Sequence, residues 1–151
     1  MSYRHLEHST DAIIEVTAPN LTTAFEVAGK SVVETIIDPS KIEEKTMKRT
    51  SVVGKDLRYL LYNWLEEVII LTITDGFAAK RILVKIESNH EYKIQAEFFG
   101  EEIDIKIHGF KVEIKSPTFH EMDIREGEQI TLRYLLAVSY THLTLPTSDL
   151  V

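Results

Sequence analysis

Asp11 stands immediately ahead of Ala12-Ile13-Ile14, an apolar run. A carboxylate that close to a buried strand needs a partner, because an unpaired buried charge is very costly. The partner is a divalent cation, which hard oxygen ligands favour, or backbone N–H groups, or a lysine. His8, three residues upstream, is either a ligand or a surface or capping histidine. A second concentration of chemically able groups lies in Lys115-Ser116-Pro117-Thr118-Phe119-His120, placed near a turn. His120 follows an apolar residue, so a satisfied, partly buried histidine is its ordinary reading. Lys115 closes an alternating run, where a lysine is usually a solvated charge. Asp56 precedes an amphipathic run and is suited to cap a helix. His8, Asp11 and His120 together suggest a small metal-dependent hydrolase. Against that, the sequence holds no G-x-S-x-G, no H-E-x-x-H and no cysteine, so neither a nucleophile nor a full ligand set accompanies them.

These groups must be positioned by the elements around them. Asp11–Val16 reads as a short buried strand stopped by Pro19-Asn20, with Asn20 placed to cap a helix from Leu21. Leu21, Ala24, Phe25, Ala28, Val32 and Ile36 recur at helical spacing, and Asp38-Pro39 ends that helix. Thr46–Val53 is a strand broken by Gly54. Leu57, Leu60, Leu61, Trp64, Leu65, Val68 and Ile69 make a second helical stripe, which Asp75-Gly76 terminates with Gly76 in a left-handed conformation. From Phe77 the period changes to two. Arg81–Glu87 and Tyr92–Phe99 flank a hairpin at Ser88-Asn89-His90, and further strands are expected at Ile103–Ile107, Phe110–Lys115, Phe119–Arg125 and Gln129–Leu136. The pattern is β-α-β-α followed by an antiparallel β meander, an α+β fold with two helices packed on mostly antiparallel sheet.

Composition narrows the function classes. The 151 residues suit one domain, and the absence of cysteine excludes disulfides, thiolate zinc sites and cysteine nucleophiles and fits a reducing compartment. MSYRHLEHSTD carries no apolar signal region, and the apolar stretch around Val68–Ile73 is too short to span a bilayer, so a cytoplasmic protein without membrane contact is expected. The 17 basic residues are interleaved with 24 acidic ones for a net charge of −7, which argues against a strong direct grip on nucleic acid and for a cation or a basic protein surface as partner. Ala28-Gly29-Lys30-Ser31 looks like the end of a phosphate-binding loop, but Ala24 stands where its first glycine belongs and the segment falls inside a helix.

The segment His8-Ser9-Thr10-Asp11, the helix DLRYLLYNWLEE at 56–67 and KSPTFH at 115–120 resemble, in this order, the archease family, small accessory proteins of an RNA-splicing ligase. The resemblance covers residues 3–136. Asp11 matches the aspartate of an H-x-x-D motif, Lys115, Thr118, Phe119 and His120 match K-x-x-T-[YF]-H, His108 with Lys111 matches an H-x-x-K element, and Asp56 matches a family aspartate. The resemblance implies a divalent cation, calcium before magnesium, held by Asp11 and by an aspartate in the last strand. At that position this chain has Ala137; Asp149-Leu150 offers the same residue pair later. Residues 137–151, AVSYTHLTLPTSDLV, have the look of introduced sequence and are set apart from the 3–136 domain.

What the resemblance implies is a non-enzymatic activator. Its protein partner would be an RNA ligase that joins 3′-phosphate or 2′,3′-cyclic-phosphate ends to 5′-hydroxyl ends in tRNA splicing, with the accessory protein promoting ligase guanylylation and multiple turnover. His8, Asp56, Lys115 and His120 are then functional residues, and Asp11 and Asp149 the metal candidates. A rival is a general chaperone or modulator of RNA-modifying enzymes such as a tRNA methyltransferase.

Overall fold

The computed structural model describes residues 2–6 and 11–139. Strands β1 (Ser2–Leu6) and β2 (Asp11–Ala18) lead into helix α1 (Leu21–Ile36). Strand β3 (Thr46–Gly54), helix α2 (Leu57–Ile69), the hairpin β4 (Phe77–Ser88) and β5 (Tyr92–Glu102), the single-turn helix α3 (Ile105–His108) and the hairpin β6 (Glu113–Glu126) and β7 (Ile130–Ser139) follow. The fold is α+β, and every strand pairing is antiparallel. The strands form two sheets, ordered β1-β2-β7-β6 and β3-β5-β4, so the strands that follow α2 divide between them. The two long helices each touch both sheets: α1 packs on β4 and on β2 and β7, and α2 on β3 and β5 and on β6.

Local signals set both helices. The Asn20 side chain accepts the Thr23 N–H at 2.8 Å and starts α1. The Asp56 side chain accepts the Tyr59 N–H at 2.9 Å and starts α2. Both expected apolar stripes are buried, and Trp64 is fully enclosed with its indole N–H donated to the Phe25 carbonyl at 2.8 Å. Gly29 sits where a Cβ would lie 3.0 Å from the Trp64 ring, so this glycine allows the helices to approach. Its neighbour Ser31 is buried, donating to the Ala28 carbonyl and bonded to the Tyr134 hydroxyl, so the AGKS segment is helix core. Past α2 the chain makes a wide π turn over Ile70–Thr74 and leaves it at Gly76, whose φ is +66°.

Four elements differ from the sequence reading. β1, which was not expected, pairs with β2 at the sheet edge; its short polar alternation carries little apolar signal. The strand expected at Ile103–Ile107 is α3 instead. Asp104 caps it through the Lys106 N–H at 3.0 Å, and a buried His108 ring accepts the Asp104 N–H at 2.9 Å. These local bonds outcompete the apolar alternation. The strands expected on either side of Ser116-Pro117 are one strand, β6. Pro117 fits there because β6 is an edge strand, where a missing N–H need not break a ladder. β7 runs on through Ala137 to Ser139, beyond the end expected at Leu136.

Candidate functional site

Along β2 and β7 the even-numbered residues, among them Ile14, Val16, Leu132, Tyr134 and Leu136, point into the core. Period-two alternation therefore sends Asp11, Glu15, Arg133 and Ala137 to the outer face of the four-stranded sheet. The register places Asp11 opposite Ala137, and Ala137 opposite Ser116, so the three form one rung across β2, β7 and β6. The next rung is Ile13, Leu135 and Thr118, and the one after it Glu15, Arg133 and Asp123. Arg4 continues that third rung on β1, 2.8 Å from Glu15.

β6 departs from regular pairing at two points, and the K-x-x-T-F-H residues lie on both. Lys115 is the extra residue where the register shifts between Ile114 and Ser116. It is exposed within the strand, not at its end as expected. The second shift falls between Thr118 and Asp123 and puts 119–122 out of the ladder. Thr118 Oγ1 accepts the His120 N–H at 2.8 Å, and Glu121 takes a left-handed φ of +62°. Such a backbone carries strain in a residue with a Cβ. The His120 ring is 78% exposed and 3.7 Å from a Glu121 carboxylate oxygen, which corrects the expectation of a partly buried histidine. Its neighbour Phe119 is the anchored residue. It stacks on Tyr62 of α2 at 4.5 Å and 11°, and tilts against Tyr59 at 5.1 Å. Arg58 of the same helix donates to the Met122 carbonyl at 2.9 Å. The first turns of α2, capped by Asp56, thus hold the irregular stretch of β6. Sequence reasoning missed Arg58, Tyr59 and Tyr62 as a group, because only Leu57, Leu60 and Leu61 stand out by period. His8 and Asp149 lie outside the described residues.

His108 and Lys111 belong to a different corner. His108 is buried; its Nδ1 accepts the Asp104 N–H, so the ring is neutral and its Nε2–H donates to Glu101 Oε2 at 2.9 Å. The Glu101 carboxyl also accepts the Glu43 N–H at 2.9 Å and meets Lys45 at 3.3 Å. The Glu43 N–H first, then His108 and Lys45, hold the Glu101 carboxyl down at about 2, against the desolvation that opposes them. The Lys111 ammonium donates to the Glu34 carbonyl, and its N–H to the Ile36 carbonyl. Both act on the C-terminal end of α1. Glu101, which nothing in its local pattern singled out, is the centre of this network.

Among the described residues no group of three or more His, Asp or Glu is arranged to hold a metal ion. On the Asp11 rung one carboxylate faces the methyl group of Ala137, whereas calcium takes about six to eight oxygen ligands. Among the described residues of this rung, Asp11 therefore supplies the one side-chain carboxylate toward those oxygens.

Fold and site define a small antiparallel α+β protein in which Lys115, Phe119 and His120 lie at the ladder irregularities of β6 and Asp11 shares a rung with Ser116, beside the first of these irregularities. The Archease protein family (MTH1598/TM1083) matches residues 3–138, and the chain belongs to it. It is 34% identical to the archease of Pyrococcus abyssi over 82% of this chain and 88% of that one, and 34% identical to the archease of Pyrobaculum islandicum over 91% and 96%. Among solved structures it is similar to Methanobacterium thermoautotrophicum protein 1598, with a TM-score of 0.74 and 26% identity over 90% of this chain and 98% of that chain. It shares its fold with a Thermotoga maritima protein described as an archease, possible chaperone, at a TM-score of 0.53 and 19% identity over 89% of this chain and 95% of that one.

Proposed function

We propose that this protein is a non-enzymatic accessory factor that activates an RNA ligase of tRNA splicing, promoting its guanylylation and repeated turnover in the joining of 3′-phosphate or 2′,3′-cyclic-phosphate ends to 5′-hydroxyl ends. Membership of the archease family supports this reading. The observation that carries it onto this chain is the meeting of Asp11, Ser116 and Ala137 on one half-exposed rung, with Lys115 at the bulge beside it. Groups that came from opposite ends of the sequence converge on a surface that a partner can reach. A divalent cation, calcium first, belongs to this rung in the proposal. A carboxylate at position 137 would face Asp11 directly. With alanine there, we expect the cation to bind weakly and activation to be reduced.

The test is ligase guanylylation measured with no accessory protein, with this chain, and with its Ala137→Asp variant. The reading requires stimulation by the variant, and more of it than by the present chain. Asp11→Ala should abolish stimulation while leaving circular dichroism and the unfolding midpoint nearly unchanged. A folded Asp11→Ala protein that still stimulates fully removes the rung from the function. Stimulation of a tRNA methyltransferase but not of the ligase would replace the ligase by that client.

A further inference from the structure

We propose that Lys55, Arg58, Tyr59 and Phe119 form a docking surface for an acidic segment of a protein partner. The inference deepens the accessory reading above, and rests on it only for the identity of that partner. Two large aromatic side chains are exposed side by side, Tyr59 at 40% and Phe119 at 36%. Each carries a cation: the Lys55 ammonium lies 4.3 Å from the Tyr59 ring centre, and the Arg58 guanidinium 5.6 Å from that of Phe119. Neither cation is in an ion pair with a carboxylate among the described residues. The nearest acid in sequence, Asp56, is committed to the Tyr59 N–H. Two unneutralised cations on a chain of net charge −7 are a local reversal of sign. The surface is also built rather than incidental. β6 leaves its ladder for four residues, and Glu121 takes a strained left-handed backbone, while Phe119 is held on α2.

The geometry favours a protein over a nucleic acid. Base stacking needs free ring faces, and one face of Phe119 is covered by Tyr62 and one face of Tyr59 by Lys55. The covered faces leave less ring surface for bases, and the ring edges, which carry partial positive charge, add to the two cations. Both suit carboxylates interspersed with apolar side chains. Tyr, Phe and Arg are also the residue types enriched where proteins meet.

Two arms test this. In the first, amide NMR shifts of the full chain are followed on adding a short peptide of alternating Glu and Phe. Shifts clustered at residues 55–62 and 118–122, and lost in Lys55→Glu, support the surface. Their absence overturns it, as does a stronger response at the same amides to a short oligouridine. In the second, affinity for the RNA ligase is measured for Lys55→Glu, for Tyr59→Ala and for Lys85→Glu, a charge reversal on the other sheet. The surface requires losses of about fivefold or more for the first two, since a like charge replaces an attraction or an anchor is removed, and little change for the third. Equal binding by all three overturns the surface and leaves the ligase reading intact. A ligase that binds none of them, the unchanged chain included, overturns the ligase reading, and the peptide arm then decides the surface by itself.

Discussion

At the crossing of α1 and α2 every polar group has an internal partner. Trp64 gives its N–H to Phe25, Ser31 gives its proton to Ala28, and the Tyr134 hydroxyl rests on Ser31 at 2.5 Å. Gly29 removes the one side chain that would hold the helices apart. Along β6, the edge strand of the four-stranded sheet, the same chain behaves differently. Its ladder is broken twice in β6, one backbone unit is left-handed, and Lys115, Phe119 and His120 stay exposed. The first region satisfies itself; the second presents groups outward. Strain and exposure persist only where the surroundings hold them, and here α2 does so through Arg58, Tyr59 and Tyr62. The stable crossing is therefore what keeps the presented surface in shape.

That comparison predicts where mutations cost most. Trp64→Ala removes a buried aromatic and the hydrogen bond it gives to the Phe25 carbonyl, so it should cost about 3–5 kcal/mol. Urea denaturation measures it. A loss below about 1 kcal/mol would mean the crossing does not carry the fold.

The Glu101–His108 corner gives the next effect, through pH. The Glu101 carboxyl is lowered from 4.5 to about 2, so its contribution is complete above about 4.5 and is lost as pH falls through about 2. Unfolding midpoints compared at about pH 7 and about pH 3 should fall more steeply for this protein than for Glu101→Gln, which is less stable at neutral pH but has no such carboxyl to protonate. Parallel pH profiles for the two proteins would place that stabilisation elsewhere.

The two regions also differ in how far sequence alone reveals them. The helix stripes are periodic because a crossing buried on all sides demands it, and Leu60, Leu61, Trp64, Leu65 and Val68 were legible residue by residue. The division of the later strands between two sheets was not. Pairing is a non-local choice, and β6 and β7 read alike whichever sheet they join. The same holds for the site. Asp11, Lys115 and His120 could be picked out by type and by family resemblance. That Asp11 faces position 137, and that Phe119 rather than His120 is the anchored side chain, depends on register and on a bulge. A one-residue shift in pairing would turn every side chain to the other face.

Asp56 lies between the regions, as cap of α2 and as a residue the family resemblance assigns to function. Asp56→Ala should cost about 1 kcal/mol through the lost cap, whereas Asp56→Asn should cost little. If Asp56→Asn keeps both stability and ligase stimulation, capping is its whole role. If it keeps stability and loses stimulation, its charge belongs to the presented surface.

The smallest expected change sharpens the comparison most, because its sign depends on what is in solution. Ala137→Asp puts a second carboxylate directly across from Asp11, on a half-exposed rung with no core to disturb. Like charges opposite one another on a sheet repel, so without divalent cations the variant should lose about 0.2–1 kcal/mol. Calcium should reverse this. A cation that binds only the folded state stabilises it by RT ln(1 + [L]/Kd), about 2.7 kcal/mol at a hundredfold excess over Kd. Thermal unfolding of both chains, with chelator and with added calcium, reads the two signs directly. The present chain should barely respond to calcium, since position 137 offers a methyl group where the variant offers a carboxylate. An equal calcium response from both chains would mean that some other group already completes the site, with Asp149 the first to replace. No response from either would separate the rung from cation binding altogether, leaving Asp11 and Lys115 to act by direct contact with the partner.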